Sequence, residues 1–167
     1  MGLYFKDNFF NSGETSVMNE AGEIVGTVDL KSSFGSSLDV YDETGMKVYS
    51  GSFRFFSNKW EVCDRNEYEL GVLRMRMSFF SKKYEYDAGE RGIYEITSPA
   101  FSKEYEIQGE GGRCVATFHR VSGWLQSGAY HLKNDSHHLD DWELIAVVMG
   151  VHAIQKRVNS SGSSAST

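Results

Sequence analysis

The chain lacks several features that mark particular classes of protein. Its 167 residues include one proline and two cysteines, and no block of five or six basic residues occurs. Disulfide-rich scaffolds need many cysteines and nucleic-acid-binding domains need clustered positive charge, so neither class is expected. The N-terminus has no basic start followed by an apolar run, so no signal peptide is predicted.

The motifs of the common nucleotide-binding and hydrolytic enzymes are missing as well. The sequence contains no GxSxG, no Walker A loop and no GxGxxG. Gly109–Gly112 superficially resembles a phosphate-binding loop, but it lies between two strand-like runs, and this context predicts a hairpin turn. We therefore expect no catalytic residues and no cofactor.

The residues that are abundant indicate an ordered domain. The chain contains eleven Phe, nine Tyr and three Trp, which is typical of a folded, β-rich protein. Cys63 and Cys114 lie in strand-like runs, outside any CxxC motif. We expect both to be reduced thiols in the core of a cytoplasmic protein, because neither a disulfide nor a reactive thiol has support in the sequence.

Turn signals recur at nearly constant intervals, with successive starts 22 to 25 residues apart. The turns are residues 19–22, 42–45, 64–67, 87–90, 109–112 and 134–135. An Asp or Asn followed by Gly between two strand-like runs is typical of β-hairpins, because Asx bonds the following backbone and Gly tolerates positive φ. About five or six hairpins predict ten to twelve short antiparallel strands.

The strand-like runs alternate between apolar and polar residues. In Lys83–Tyr86 and Tyr105–Gln108 the character changes at every step, so one face of each strand is predicted to be buried and the other hydrated. The longest run, Tyr68–Phe80, alternates too, but its phase slips near Leu73 and Arg74, which predicts a bulge or bend there.

The segment after Asp140 breaks this pattern. Leu144–Ile154 is eleven residues long and apolar on every side, and Asp140 with Glu143 fits a capping box at a helix start. A helix that is apolar all round is buried in protein or lipid, and spanning a bilayer needs about 20 apolar residues. We therefore predict a helix over residues 141–158, buried in protein and about 27 Å long.

These patterns together predict one mostly β domain over residues 1–158. Its fold is a closed antiparallel barrel of about twelve strands, built from repeated hairpins, around a central, buried C-terminal α-helix. Closure removes the sheet edges that short aromatic strands would otherwise expose. Residues 159–167 are rich in serine and glycine and are expected to form a disordered tail.

Four stretches carry a resemblance to a known family: Val17–Gly22, Val40–Gly45, Trp60–Val62 and Asp141–Val148. The chain resembles the tubby C-terminal-like superfamily, and most of all its small LURP-one-related members, from Leu3 to about Val158. The resemblance implies a twelve-stranded barrel around a C-terminal helix. It also implies a connection with lipid, because tubby proteins bind phosphoinositides through basic residues and the related phospholipid scramblases act at membranes.

A basic and aromatic region in the middle of the chain is the best functional lead. Residues 52–83 carry a net charge of +3, whereas residues 1–51 carry −5 and residues 84–167 carry −4. Cations beside aromatic rings can bind an anionic membrane interface, at about 1 kcal/mol for each basic residue. The basic residues are Arg54, Lys59, Arg74, Arg76, Lys82 and Lys83, and the aromatic ones are Phe53, Phe55, Phe56, Trp60, Phe79 and Phe80. The alternative is that the rings build the barrel wall while the cations solubilise its outer surface.

A second candidate site precedes the helix. His131, His137, His138 and Asp140 are candidate metal ligands, because imidazole and carboxylate groups bind zinc and other divalent ions. Their spacing matches no zinc-site signature, and a solvated turn that caps the helix is the alternative. His152, inside the apolar helix, is expected to be a hydrogen-bonded core residue rather than a proton switch.

We therefore interpret the chain as a non-catalytic binding or interaction module in the cytoplasm, either free or peripheral at the membrane. Its partner is an unknown protein or an anionic lipid, and neither nucleic acid binding nor a transmembrane segment is predicted. Two alternatives stay open. One is weak peripheral binding of anionic membrane lipid, and the other is a metal-binding or hydrolytic site near His137 and Asp141.

Overall fold

The structure is a computed structural model that describes residues 2–11, 13–31, 36–77, 82–99, 102–123 and 128–162. Within these residues it contains twelve β-strands followed by one α-helix. The strands are β1 (Gly2–Lys6), β2 (Gly13–Met18), β3 (Ile24–Leu30), β4 (Ser37–Asp42), β5 (Lys47–Phe53), β6 (Trp60–Asp64), β7 (Glu69–Arg76), β8 (Lys83–Asp87), β9 (Ile93–Thr97), β10 (Tyr105–Gln108), β11 (Cys114–Val121) and β12 (Ala129–Asn134). The helix, α1, spans Asp141–Gly162.

The strands form a single antiparallel barrel. Each strand pairs with its neighbours in sequence, and β1 also pairs with β12, which closes the sheet on itself. The prediction of a closed, mostly β barrel of about twelve strands built from hairpins is confirmed.

The regularly spaced turns form by the predicted chemistry. Asp42 Oδ1 accepts hydrogen bonds from the backbone N–H groups of Thr44 (2.9 Å) and Met46 (3.1 Å), and Gly45 takes a φ of 78°. The next turn, from Asp64, repeats the arrangement with Glu67 where the glycine would stand, at a φ of 65°. Side-chain bonds from Asx therefore specify the turn even where glycine is replaced.

The alternating strand direction gathers the connections at two ends of the barrel. One end, here called the turn end, comprises residues 19–23, 42–46, 64–68, 87–92, 109–113 and 135–141. The other, here called the loop end, comprises the described residues 7–11, 31, 36, 54–59, 77, 82, 98–99, 102–104, 122–123 and 128, together with residues 155–162 of α1. The helix thus enters the barrel at the turn end and leaves it at the loop end.

The interior is filled by α1 and the inward side chains of the strands, which make one hydrophobic core. Residues 143–151 are buried without interruption, as predicted for a helix that is apolar on every side. The helix lies closer to β4–β7 than to β8–β11. The strands farther from the helix, β8–β11, carry large buried rings that fill the remaining space: Tyr84, Tyr86, Tyr94, Tyr105 and Phe118.

Trp60 fixes how closely the helix approaches the near wall. Its indole Nε1 donates to the carbonyl of Ala146 at 3.2 Å, and its ring is 1% exposed. A Cβ atom on Gly51 would lie 2.6 Å from this ring, and one on Gly150 would also clash with it. Both positions therefore require glycine, one in the wall and one in the helix.

The end of the helix differs from the prediction. The helix ends at Gly162 rather than Val158, because Ser160 and Ser161 donate hydrogen bonds to the carbonyl of Arg157 and continue the last turn. Residues 159–162, predicted as part of a disordered tail, are therefore helical, and residues 163–167 lie outside the described part of the chain.

Two finer predictions are also wrong. The bulge predicted near Leu73 and Arg74 lies three residues earlier in β7, at Leu70, because Val62 pairs with Gly71 and Cys63 with Glu69. The pairing of β7 with β8 runs without a shift through Leu73 and Arg74. The two cysteines are unpaired thiols, as expected, but Cys63 is partly exposed and Cys114 is exposed. Neither is a core residue: Cys63 lies on the outward phase of β6, and Cys114 is the first residue of β11, beyond the register shift next to Ala116.

Candidate functional site

The β5–β6 loop presents two aromatic side chains to solvent. Phe55 is 87% exposed and Phe56 is 95% exposed, with ring centroids 4.1 Å apart. The loop is closed by backbone hydrogen bonds from Ser57 to Arg54 (3.1 Å) and from Arg54 to Lys59 (3.0 Å). Phe56 has a φ of 51°, a left-handed conformation that costs energy in any residue with a side chain and persists only when its surroundings enforce it.

The next connection at the loop end adds a third exposed apolar group. Met77 follows β7 and is 95% exposed. Large apolar side chains exposed together are typical of interaction surfaces, whereas single ones are ordinary. Phe79 and Phe80, also part of the predicted aromatic set, lie outside the described residues.

Two residues of the predicted aromatic set, Phe53 and Trp60, belong to the barrel wall, as the alternative interpretation expects of the rings. Trp60 is buried, and Phe53 packs edge to face against it with ring centroids 5.1 Å apart. The guanidinium of Arg157 lies 4.1 Å from the Phe53 ring centre. Phe53 and Trp60 therefore build the barrel wall, while Phe55 and Phe56 do not.

Basic side chains lie at the same end of the barrel as the exposed side chains Phe55, Phe56 and Met77. Lys59 ends the β5–β6 loop, and Arg157 reaches that loop through a hydrogen bond to the carbonyl of Ser57 at 3.0 Å. Lys82 donates to Asn159 Oδ1 at 3.2 Å, which connects the β7–β8 connection to the end of α1. Among the described residues, Lys59, Lys82 and Arg157 form no ion pair with an acidic side chain.

The other four predicted lipid-binding residues are paired with carboxylates. Arg74 and Arg76 both bind Glu85, so they share a face of β7, because no register shift lies between them. Lys83 binds Glu95 at 2.7 Å. Arg54 binds Glu61 and Glu69. These pairs bridge neighbouring strands and neutralise most of the positive charge that the sequence places between residues 52 and 83.

The candidate metal ligands before α1 have separate surroundings. His131 stacks on Tyr4 with ring centroids 4.5 Å apart and contacts the His119 ring at 5.5 Å, and burial lowers its pKa. His138 accepts a hydrogen bond at its carbonyl from Arg91. His137 is exposed. In the described parts of the chain no three His, Cys, Asp or Glu side chains converge to hold a metal ion, so the metal site stays a prediction.

Asp140 acts as the helix cap. Its Oδ1 accepts a hydrogen bond from the backbone N–H of Trp142 at 2.8 Å, which satisfies a donor that the first turn leaves free. Tyr49 lies beside Asp140, and burial together with this negative charge raises the pKa of Tyr49 to about 12. Asp141 accepts from Asn134 Nδ2 at 2.7 Å.

A buried polar network connects α1 to the barrel at the turn end. Glu143 is 1% exposed, and its carboxylate accepts hydrogen bonds from Tyr86 (2.5 Å) and from both terminal nitrogens of Arg91 (2.7 and 2.8 Å). Arg91 also donates to the carbonyl of Leu70 at 2.8 Å. The bond to Glu143 raises the pKa of Arg91. The capping box predicted for Glu143 is thus wrong, and nothing in the local sequence singles out Arg91, 52 residues away.

A family model for LURP-one-related proteins matches residues 1–149, which include every strand of the barrel and the first part of α1. The chain belongs to the LURP-one-related family. Membership confirms the family resemblance carried by the hairpin turns and the start of the helix. No curated protein gives a significant match to this LURP-one-related sequence.

One solved structure is similar to this LURP-one-related barrel over most of its length. A protein from Arabidopsis thaliana, known from X-ray crystallography, matches with a TM-score of 0.57 and 16% sequence identity, over 95% of this chain and 90% of that chain. At this identity the similarity concerns the fold alone. Within the residues described for the present chain, no helix has the length and apolar character that crossing a membrane demands.

Proposed function

We propose that this LURP-one-related chain is a non-catalytic binding module that docks its loop end on an anionic membrane surface. The observation that carries the proposal is the pair Phe55 and Phe56, held 87% and 95% exposed in a strained loop beside basic side chains. Apolar rings enter the boundary between headgroups and acyl chains, while cations bind lipid phosphates. A membrane interface therefore suits both kinds of group at once.

The exposure of these side chains favours a membrane over a folded protein partner. Phe55, Phe56 and Met77 project into solvent from two different connections. Anchor residues of protein interfaces gain most of their binding energy in well-packed, fully desolvated pockets. A lipid interface accepts projecting side chains without a matching shape, so the same residues can all be buried there together.

The distribution of charge gives the docking a direction. The connections and helix terminus of the loop end carry seven basic and two acidic side chains, whereas the turn end carries twelve acidic and three basic ones. An anionic surface attracts the first end and repels the second. This supports an end-on orientation, in which the loop end faces the membrane and α1 is perpendicular to the membrane surface.

The proposal assigns unequal roles to the basic residues predicted from the sequence. Lys59 and Lys82 lie at the loop end without acidic partners among the described residues and contact lipid directly. Arg74, Arg76 and Lys83 lie in strands of the barrel wall, where their carboxylate partners offset their charge. Both cysteines are unpaired, which fits a reducing compartment, and the cytoplasmic leaflet is the anionic surface such a compartment offers.

Vesicle sedimentation tests the proposal. The full chain is mixed with phosphatidylserine or phosphatidylcholine vesicles at low and physiological salt. We expect the wild type to bind phosphatidylserine vesicles, and the binding to weaken as salt is added. The double variant Phe55→Ser with Phe56→Ser and the single variant Lys59→Glu should each lose most of this binding. The matched control is Arg74→Gln with Arg76→Gln, which removes two cations from the wall and leaves the loop end intact.

The outcomes of this experiment distinguish the loop end from the barrel wall as the lipid-binding site. Loss in the loop-end variants with binding kept in the wall variant supports the loop end. Loss in the wall variant alone assigns lipid binding to the residues of the wall and overturns the loop-end site. Absence of binding to phosphatidylserine at low salt overturns the membrane function altogether.

The non-catalytic part of the proposal has its own test. Asp140 caps the helix and Asp141 binds Asn134, so both carboxylates near His137 have structural partners. We expect no stoichiometric zinc in protein purified without a metal-affinity tag, and no turnover in a broad hydrolase and phosphatase screen. Activity that disappears in His137→Ala or Asp141→Asn would establish the hydrolytic alternative instead.

A further inference from the structure

The connection between β1 and β2 folds back across the loop end. Phe9 and Phe10, in the segment 7–11, are 0% and 6% exposed, in contrast to the aromatic residues of the β5–β6 loop at the same end. Backbone hydrogen bonds from Phe9 to Lys6 and from Asn11 to Asn8, both 2.9 Å, keep the segment compact. Two further aromatic rings are therefore buried at the same end of the barrel as the proposed membrane site.

Phe10 is the contact between this segment and the helix. Its ring centroid lies 4.4 Å from that of His152, and it packs edge to face on Phe118 and Tyr130. The ammonium group of Lys103 lies 5.3 Å from the centre of the same ring. The position of the segment thus depends on a ring packed at a tilt against a titratable side chain.

His152 is not the hydrogen-bonded core residue expected from the sequence. Its Nδ1 atom is buried and has no hydrogen-bond partner among the described residues. Burial, with Lys103 and Lys156 nearby, lowers the pKa of His152 to about 4. This corresponds to a roughly 300-fold lower proton affinity than that of a free imidazole. A protonated ring would have a buried N–H without an acceptor, next to two cations.

The other ionisable groups around this contact do not offset such a charge. Burial raises the pKa values of Tyr105 and Tyr130, which keeps both hydroxyls neutral. The carboxylate of Asp7 is paired with the guanidinium of Arg120 at 2.6 Å, and that of Glu104 accepts a hydrogen bond from the backbone N–H of Arg120 at 3.1 Å. The closed segment is therefore compatible with a neutral His152 and is destabilised by a charged one.

We propose that His152 is a proton-operated latch, and that its protonation releases Phe10 and opens the segment 7–11 at the loop end. Released Phe9 and Phe10 then enter the membrane interface, a step that rests on the proposed function. Anionic lipid supplies counter-charge to a protonated His152, so protonation and docking favour each other reciprocally. Acidification strengthens membrane binding by adding apolar anchors.

NMR titration of the full chain, from about pH 7 to about pH 3, tests the latch without lipid. We expect the His152 ring resonances and the backbone amides of residues 8–11 to change with one common midpoint. The amide transition is absent in His152→Gln and is kept in the control His138→Gln, which changes an imidazole at the opposite end. In Phe10→Leu the His152 midpoint moves to higher pH, because the covering ring is gone.

Two outcomes overturn the latch. In one, the amides of residues 8–11 do not change while His152 titrates, and in the other, their transition survives in His152→Gln. A vesicle arm tests the membrane step separately, with phosphatidylserine vesicles at about pH 7 and about pH 5. We expect several-fold stronger binding by the wild type at the lower pH and no such gain in His152→Gln. Opening of the segment without vesicle binding contradicts the proposed function and the membrane step while leaving the latch standing.

Discussion

At the scale of single residues, Glu143 is a buried carboxylate whose charge is compensated by Arg91 and Tyr86. Arg91→Met is expected to reduce the free energy of unfolding by about 3 kcal/mol or more, because it leaves the carboxylate buried and unpaired. Urea unfolding measures the change. Arg113→Met, in the next turn of the same end, is the control and should be nearly neutral. Arg91→Met combined with Glu143→Met should recover part of the loss, since it removes the unpaired charge.

His152 makes the stability of the domain depend on pH. Its pKa is lowered in the folded chain to about 4 from the ordinary value of 6.5, so protons bind the unfolded state more tightly. The contribution is fully present above pH 6.5 and is lost as the pH falls toward 4, by up to about 3 kcal/mol. Urea unfolding of the wild type and His152→Gln at several pH values isolates it. The difference between the two curves should grow on acidification, and parallel curves would contradict the prediction.

At the scale of the element, α1 is stable because the barrel surrounds it. Val147 is 1% exposed at the centre of the helix, so Val147→Asp places a charge without a partner in the core. The expected cost is several kcal/mol, comparable with the total stability of about 5–15 kcal/mol of a typical domain. Circular dichroism and thermal unfolding show the effect. Ser160→Asp, on the exposed last turn, is the control, and a Val147→Asp protein as stable as the wild type would mean that the helix is not enclosed.

The contact between α1 and β6 depends on the absence of a side chain at Gly150. Alanine is a better helix former than glycine by about 1 kcal/mol, yet Gly150→Ala should destabilise the domain by about 1–3 kcal/mol, because its Cβ atom meets the Trp60 ring. Tryptophan fluorescence during chemical unfolding measures the change. Gly162→Ala, at the end of the same helix with open space around it, should show no loss.

At the scale of the whole molecule, the two ends of the barrel differ in charge, and among the described residues the most exposed large apolar side chains, Phe55, Phe56 and Met77, lie at the loop end. This difference predicts an end-on orientation at the membrane, with the turn end roughly 33 Å from the loop end along α1. Spin labels at Asn58→Cys and Thr44→Cys, each in a Cys63→Ser and Cys114→Ser background, test it. On phosphatidylserine vesicles the label at position 58 should become shielded from a water-soluble relaxation agent, while the label at 44 stays accessible. Equal shielding would indicate that the barrel lies on its side.

The sequence by itself determined the local elements and, through them, the topology. Asx side chains that bond the next few backbone groups, as Asp42 does, specify a turn without help from distant residues. Turns at a constant spacing leave room only for short antiparallel strands, and an apolar segment too short for a bilayer leaves only the barrel interior. The fold and the family were predictable because these signals act over a few residues.

Only the tertiary structure decided which of the predicted site residues are available. Cross-strand register brings Arg74 and Arg76 to Glu85 and leaves Lys59 at the loop end. It also places Arg91 against Glu143 and Phe10 against His152, pairs separated by many residues in the chain. Electrostatic compensation and burial depend on distance in space, and closure of the barrel sets those distances. A local pattern therefore shows which residues carry charge or an aromatic ring, and the closed barrel decides which of them stay exposed.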